Sequence, residues 1–229
     1  MFFQPENLGN FIIVSGHYGC GKTTLSLNLA RSLSKKGGVT LVDLDIVNPY
    51  FRSSDYPEWI KQLGVHLVAP QFAHSNLDIP SLPAEVQSVF EREEGTVIVD
   101  VGGDDAGATA LGRFAPILQK RQGGYQMLYI INQYRPQTKT SEDAAQLLKE
   151  IEAASRLKAT GIINNSHLQG LTRLTDVLSS LPFAEKTASL LGLPLLATTL
   201  PSPLQSELPQ EDIPGILYPV EVVVTAPWQ

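Results

Sequence analysis

Apolar residues in this chain gather in short runs rather than in alternation. The runs at 11–14, 39–42, 96–99, 126–131 and 159–163 each read as a strand. Continuous apolar strands are those buried on both faces, as in a parallel sheet covered by helices on each side. Stretches of helical period lie between them. Leu25, Leu29 and Leu33 recur every four residues over about 22–36, up to the Gly37-Gly38 stop. Trp59, Ile60 and Leu63 predict a short helix, and 84–93 another. Residues 106–120 read as helix, though Gly107, Gly112 and Pro116 interrupt the pattern. Thr140 is a candidate N-cap with Asp143 three residues on, followed by the stripe Ala144, Leu147, Leu148, Ile151 and Ala154. Leu171, Leu174, Leu178 and Leu181 mark a further helix, and 183–191 a second, shorter one closed by Gly192 and Pro194. Residues 65–68 and 195–198 are short strands, and 220–224 an edge strand. The alternation predicts one α/β domain over 1–229.

The strong strands end, on their C-terminal sides, at Gly16, Asp43, Asp100, Asn132 and Asn164. In an open parallel sheet those ends share one edge, where ligands bind. Residues 70–83, with Pro70, His74, Asn76, Asp78, Pro80 and Pro83, form a long irregular segment, and such loops often carry function. His74 and Asp78 face either the crevice or solvent.

The strand end at Gly16 carries the chemistry. From Gly16 the chain reads Gly16-His17-Tyr18-Gly19-Cys20-Gly21-Lys22-Thr23-Thr24, matching G-x-x-x-x-G-K-[ST] at every fixed position between a strand and a helix. Glycines let backbone N–H groups close around phosphate oxygens, and the following helix adds the positive end of its dipole. Lys22 is placed to reach the β- and γ-phosphates, and the Thr23 hydroxyl to hold Mg²⁺. Asp100, closing an apolar strand, has the Walker B placement for a metal carboxylate, and Asp100-Val101-Gly102-Gly103 fits D-x-x-G, whose glycine, Gly103, senses the γ-phosphate. Asp43 and Asp45 end the strand after the loop's helix. Asp43, nearer the strand end, is assigned to orienting or deprotonating the attacking water, and Asp45 to the metal. Turn capping is the plain alternative for both. Asn164 and Asn132 are base-reading candidates, with turn asparagines as the alternative. The guanine signature N-K-x-D is absent, since the two sites read Asn132-Gln133-Tyr134-Arg135 and Asn164-Asn165-Ser166-His167, and this favours ATP over GTP. Arg52 contacts phosphate, a partner or only solvent.

Composition narrows the rest. The chain has 229 residues, 43% hydrophobic and 17% charged, with net charge −6. That balance argues against a nucleic-acid protein relying on bulk positive charge. Lys35-Lys36 and Lys120-Arg121 fall where helix ends are expected, which accounts for them. A single cysteine, Cys20, excludes internal disulfides and cysteine-ligated metal scaffolds, and it reads as a small loop filler or a redox-sensitive thiol. The opening Met1-Phe2-Phe3-Gln4-Pro5-Glu6 lacks a secretory pattern, and no apolar run approaches the about 18 residues that span a bilayer, so a cytoplasmic protein with no membrane association is expected.

Taken together, 'GHYGCGKTTLSLNLA', 'VDLDIVNPYFR', 'VIVDVGGDDAG' and 'GIINN' resemble the MinD/ParA-like branch of P-loop ATPases, grouped with the CobQ/CobB nucleotide-binding domains. The resemblance implies a three-layer fold with a mostly parallel sheet of seven or eight strands. It implies ATP with Mg²⁺, slow hydrolysis, a protein partner and often a nucleotide-bridged homodimer. Asp43 would take the switch place near the water, Asn164 the adenine-contacting place, and Pro201 the segment flanking the base. The family's signature lysine is replaced here by His17, and a neutral imidazole supplies no permanent charge. No C-x-x-C and no basic C-terminal amphipathic helix is present. A nucleotide switch is therefore the leading expectation. A small-molecule kinase or ATP-dependent ligase, and a non-hydrolysing regulatory or metallocentre-assembly module, are the rivals.

Overall fold

The structure is a computed structural model describing residues 1–45, 52–69, 84–103, 105–209 and 215–224. Among these described residues, eight strands form one sheet: β1 (Phe11–Gly16), β2 (Val39–Leu44), β3 (His66–Val68), β4 (Thr96–Val101), β5 (Gln126–Ile131), β6 (Gly161–Asn164), β7 (Leu195–Pro201) and β8 (Leu217–Val220). Their order is β3-β2-β4-β1-β5-β6-β7-β8, and every pairing is parallel. The helices are α1 (Lys22–Ser34), α2 (Pro57–Gln62), α3 (Ala84–Glu91), α4 (Asp105–Gly112), α5 (Ala115–Leu118), α6 (Ser141–Ser155), α7 (Leu174–Ser179) and α8 (Leu181–Leu191).

Successive side chains of a strand point to opposite faces, and this sorts the core into two layers. Ile12 and Val14 of β1 pack with Leu41, Ile98 and Leu128 under α1 and α2. Phe11 and Ile13 pack with Val42, Val97, Val99 and Met127 under α3, α4 and α5. Further along that second face, Tyr129, Ile131 and Ile162 lie under α6 and α8. Strands covered on both sides need apolar residues at every position, which is why the runs do not alternate.

Three expectations change. Residues 106–120 form two helices, because Pro116 has no N–H for a helix interior and instead starts α5 in its first turn. Of the pair near 171–191, the second helix is the longer: Pro182 opens α8, while residues Gln169–Leu171 form a 3-10 turn with Leu171 exposed. The edge strand lies at Leu217–Val220 rather than at 220–224, and its Pro219 is tolerated at the sheet's margin. Expectations for residues 70–83, including His74 and Asp78, fall outside the described residues.

The last strand is tied back to the beginning of the chain. Phe3 N donates to Leu217 O, and Leu217 N to Met1 O. Asn28 of α1 donates from Nδ2 to Glu221 O (2.8 Å), and its Oδ1 accepts from Glu221 N (2.8 Å). Among the described residues, no helix is long and apolar enough to cross a membrane.

Candidate functional site

β1 ends at Gly16, the loop turns through 17–21, and α1 begins at Lys22. Gly21 precedes the helix with φ +90°, and a Cβ there would overlap the Asn165 side-chain amide, so glycine is required twice over. Lys22 is only 8% exposed; its Nζ donates to His17 O (3.0 Å), and among the described residues no ion pair neutralises it. Gly103 lies against the loop: a Cβ there would stand 2.6 Å from Tyr18 N and 2.7 Å from Lys22 Nζ. Its carbonyl accepts from Tyr18 N at 3.1 Å, so the D-x-x-G segment touches the phosphate loop. A cavity of about 250 Å³ opens over the loop, walled by Lys22, Thr23, Thr24, Asp45, Asp100 and Arg135. Burial, then the charges of Lys22 and Arg135, hold the His17 imidazole below its usual titration range, so it is neutral at pH 7. Burial also pushes the Cys20 thiol up, so Cys20 serves as loop filler rather than as a thiolate.

The carboxylates sort by depth. Asp43 and Asp100 face each other across β2 and β4 in register. Asp100 accepts hydroxyls from Ser26 (3.2 Å), Ser53 (3.1 Å) and Thr23. Burial, then the neighbouring Asp43, push its carboxyl up to about 7. Asp43 is fully buried; its oxygens accept from Asp45 N (3.0 Å) and Ser54 N (3.0 Å), and burial raises its carboxyl too. It braces the strand end and the turn at 53–55. Asp45, one step past the strand, lines the cavity instead. Asp43, assigned from the sequence to the attacking water, is thus held inside the sheet, and of the two aspartates after α1 it is Asp45 that walls the cavity. Arg52 is likewise buried, which removes the solvent reading.

The donor set fits Mg²⁺. Two buried carboxylates side by side repel, and a divalent cation relieves that repulsion. Thr23 and Asp100 offer hard oxygens at one point, with Asp45 on the same cavity. No group of three or more His, Cys, Asp or Glu is gathered among the described residues. Such a site suits an ion completed by phosphate oxygens and water.

The asparagines are also redistributed. Asn164 is fully buried: its Nδ2 donates to Ser180 Oγ (2.9 Å) and Thr198 Oγ1 (3.3 Å), and its Oδ1 accepts from Ser166 N (3.2 Å) and Oγ (2.6 Å). The amide is saturated within the fold, so a base contact from it is not supported. Asn132 is occupied similarly, accepting from Tyr134 N (2.9 Å) and donating to His167 O (3.3 Å). The residue that reaches the loop is Asn165, which sequence reasoning passed over. Its Nδ2 donates to Cys20 O at 2.7 Å, and its Oδ1 accepts from Thr199 Oγ1 and His167 Nε2. Opposite facing of adjacent strand-end residues was the available signal. Pro201 stands apart from the loop, on a cavity of about 660 Å³ with Trp59, Gln169, Thr172 and Leu204; Gln169 also borders the loop cavity. A further cavity of about 790 Å³ adjoins the loop's opening residues, walled by His17, Tyr18, Asp45, Gly103, Asp105 and Glu150.

Solved structures share the fold. The GDP complex of the signal recognition particle 54 kDa protein from Aeropyrum pernix K1 superposes with TM-score 0.55 at 17% identity, covering 84% of this chain and 41% of that one. FtsY from Mycoplasma mycoides gives TM-score 0.55 at 20% identity, covering 85% and 61%. FtsY from Thermotoga maritima gives 0.52 at 19% identity, covering 85% and 63%. The chain thus spans from about two fifths to under two thirds of those proteins' length. No curated protein matches it. The family profile described as CobQ/CobB/MinD/ParA nucleotide binding domain matches residues 11–189. With a phosphate loop at the end of the central strand, and with that match over most of its length, this chain belongs to the CobQ/CobB/MinD/ParA nucleotide-binding family of P-loop proteins.

Proposed function

We propose that this protein binds ATP with Mg²⁺, hydrolyses it slowly, and acts in the cytoplasm as a nucleotide switch for a protein partner, with a homodimer as one state. The observation that carries the reading is Lys22: a buried ammonium that forms no ion pair among the described residues, in one cavity with Thr23 and Asp100. A buried cation held among carbonyls and amides is arranged for an anion. Lys22 and the loop amides bind the phosphates, and Thr23 and Asp100 hold the metal, which supplies charge neutralisation at the phosphate. Asp45 orients water. The base extends past Gln169 toward Pro201. Absence of the guanine signature supports ATP, whereas one structural neighbour holds GDP. The segment after β4 would change with nucleotide state, since Gly103 already contacts Tyr18.

Titration calorimetry with Mg²⁺ tests this. Wild type should bind ATP more tightly than GTP, and Lys22→Ala should lose ATP binding by about 100-fold or more. Unchanged affinity in that variant refutes the site. Asp45→Ala should keep binding and slow phosphate release by about tenfold or more; turnover equal to wild type removes Asp45 from the role.

The cavity beside the loop's opening residues favours a second reading, phosphoryl transfer to a small acceptor. Its Asp45, Asp105 and Glu150 suit an acceptor bearing a positive charge. Stimulation of ATP consumption by a metabolite, with none by protein, would select it.

A further inference from the structure

We propose that Arg135 is a phosphate-binding residue, supplying from within the same chain a second positive charge over the phosphate loop. The inference rests on the reading that the cavity over the loop takes a nucleotide.

Arg135 follows β5 in a braced turn. Its N donates to Asn132 O (3.2 Å), and its O accepts from Thr138 N (3.1 Å). Tyr134 beside it is anchored through its hydroxyl to Asp176 O (2.7 Å). The backbone of the turn is thus fixed, and the side chain is carried over the phosphate loop. Its Nε and Cζ stand 3.5 and 3.6 Å from the Cβ position of Gly19. The guanidinium walls the same cavity as Lys22, Thr23 and Asp100.

What the guanidinium does not do is as telling. Among the described residues it forms no ion pair, and its Nε is buried without a hydrogen-bond partner. Arginine cannot give up its charge, so leaving the buried Nε–H unused beside a second cation is costly. Asp100, the buried carboxylate among the cavity's walls, is occupied by three hydroxyls. A planar fork beside an ammonium matches bidentate recognition of phosphate oxygens. The loop's own second position offers no such charge, because His17 is neutral. The cation comes instead from the neighbouring strand end.

The test compares Arg135→Gln, Arg135→Lys and Lys22→Ala by calorimetry with Mg-ADP and Mg-ATP, alongside thermal unfolding of each protein without nucleotide. Arg135→Gln should weaken both nucleotides by about 10- to 100-fold and flatten the salt dependence of binding, while nucleotide-free Tm stays near wild type. Arg135→Lys should recover part of the affinity, because it keeps the charge and loses the fork. Affinity within about twofold of wild type in Arg135→Gln, with binding lost in Lys22→Ala, overturns the role of Arg135 and leaves the site intact. A drop in nucleotide-free Tm with unchanged affinity also overturns it, by showing that the side chain only packs on Gly19. Wild-type binding by Lys22→Ala would overturn both readings together.

Discussion

His167 and Asp100 should give the nucleotide-free protein two opposed pH dependences that nearly cancel. His167 is 4% exposed; its Nδ1 accepts from Gln169 N (3.2 Å), and its Nε2 lies 3.1 Å from Asn165 Oδ1. These partners assign the neutral Nε2–H tautomer. A second proton would turn Nδ1 toward another donor. Burial, with the charge of Arg135 second, lowers its pKa from 6.5 to about 4. Between those values the unfolded chain binds a proton that the folded chain refuses. Stability is therefore whole above pH 6.5 and falls by about 3 kcal/mol on acidification to 4. His17 acts in the same direction. Asp100 does the reverse. Its carboxyl is raised from 3.8 to about 7, so the folded chain binds the proton that the unfolded chain releases, and acidification through that window stabilises by about 4 kcal/mol. Asp43 shares that sign. Urea unfolding followed by circular dichroism, from about pH 4.5 to about 7.5, separates the two. Wild type should be nearly flat. Asp100→Asn should lose stability on acidification at up to about 1.4 kcal/mol per pH unit, and His167→Gln should gain it. Identical pH slopes in wild type and both variants would refute the reasoning.

Two further outcomes follow from geometry. Gly21→Ala should cost about 1–3 kcal/mol from its positive φ alone, plus the clash with Asn165. Adding Asn165→Ala should relieve the clash and leave the backbone cost, so a double variant restored to the wild-type melting temperature would show that the loop adopts another path. Asn164→Ala should destabilise by about 2–4 kcal/mol, as four hydrogen bonds of a buried amide are lost, while the preference between ATP and GTP stays unchanged. Lost selectivity at wild-type stability would return Asn164 to base reading.

The layered sheet and the phosphate loop were legible because each rests on local pattern. Continuous apolar runs need cover on both faces, and the spacing from Gly16 to Thr23 is dictated by the phosphate it wraps. The place of Asp100 was legible because a polar residue ends the apolar run of the strand that pairs with β1. What the sequence hid depends on which way a strand-end side chain points. Asp43 and Asp45 differ by two residues, yet one is sealed against β4 and the other opens on a cavity. Asn164 and Asn165 are adjacent and face opposite ways. Arg135 was hidden for another reason: its position over Gly19 is set by a turn after β5 whose path no local pattern specifies.

The clasp between Asn28 and Glu221 also bears on synthesis. Asn28 sits in the first turns of the helix that begins at the phosphate loop, and its partner comes 193 residues later. At ribosomal rates of roughly 5–20 residues per second, about 10–40 s pass between the emergence of the two. During that interval the nascent helix lacks its distal support, while β1, β4 and β5 can already pair. The nucleotide site of the growing chain should therefore mature late, when the last strand closes the sheet.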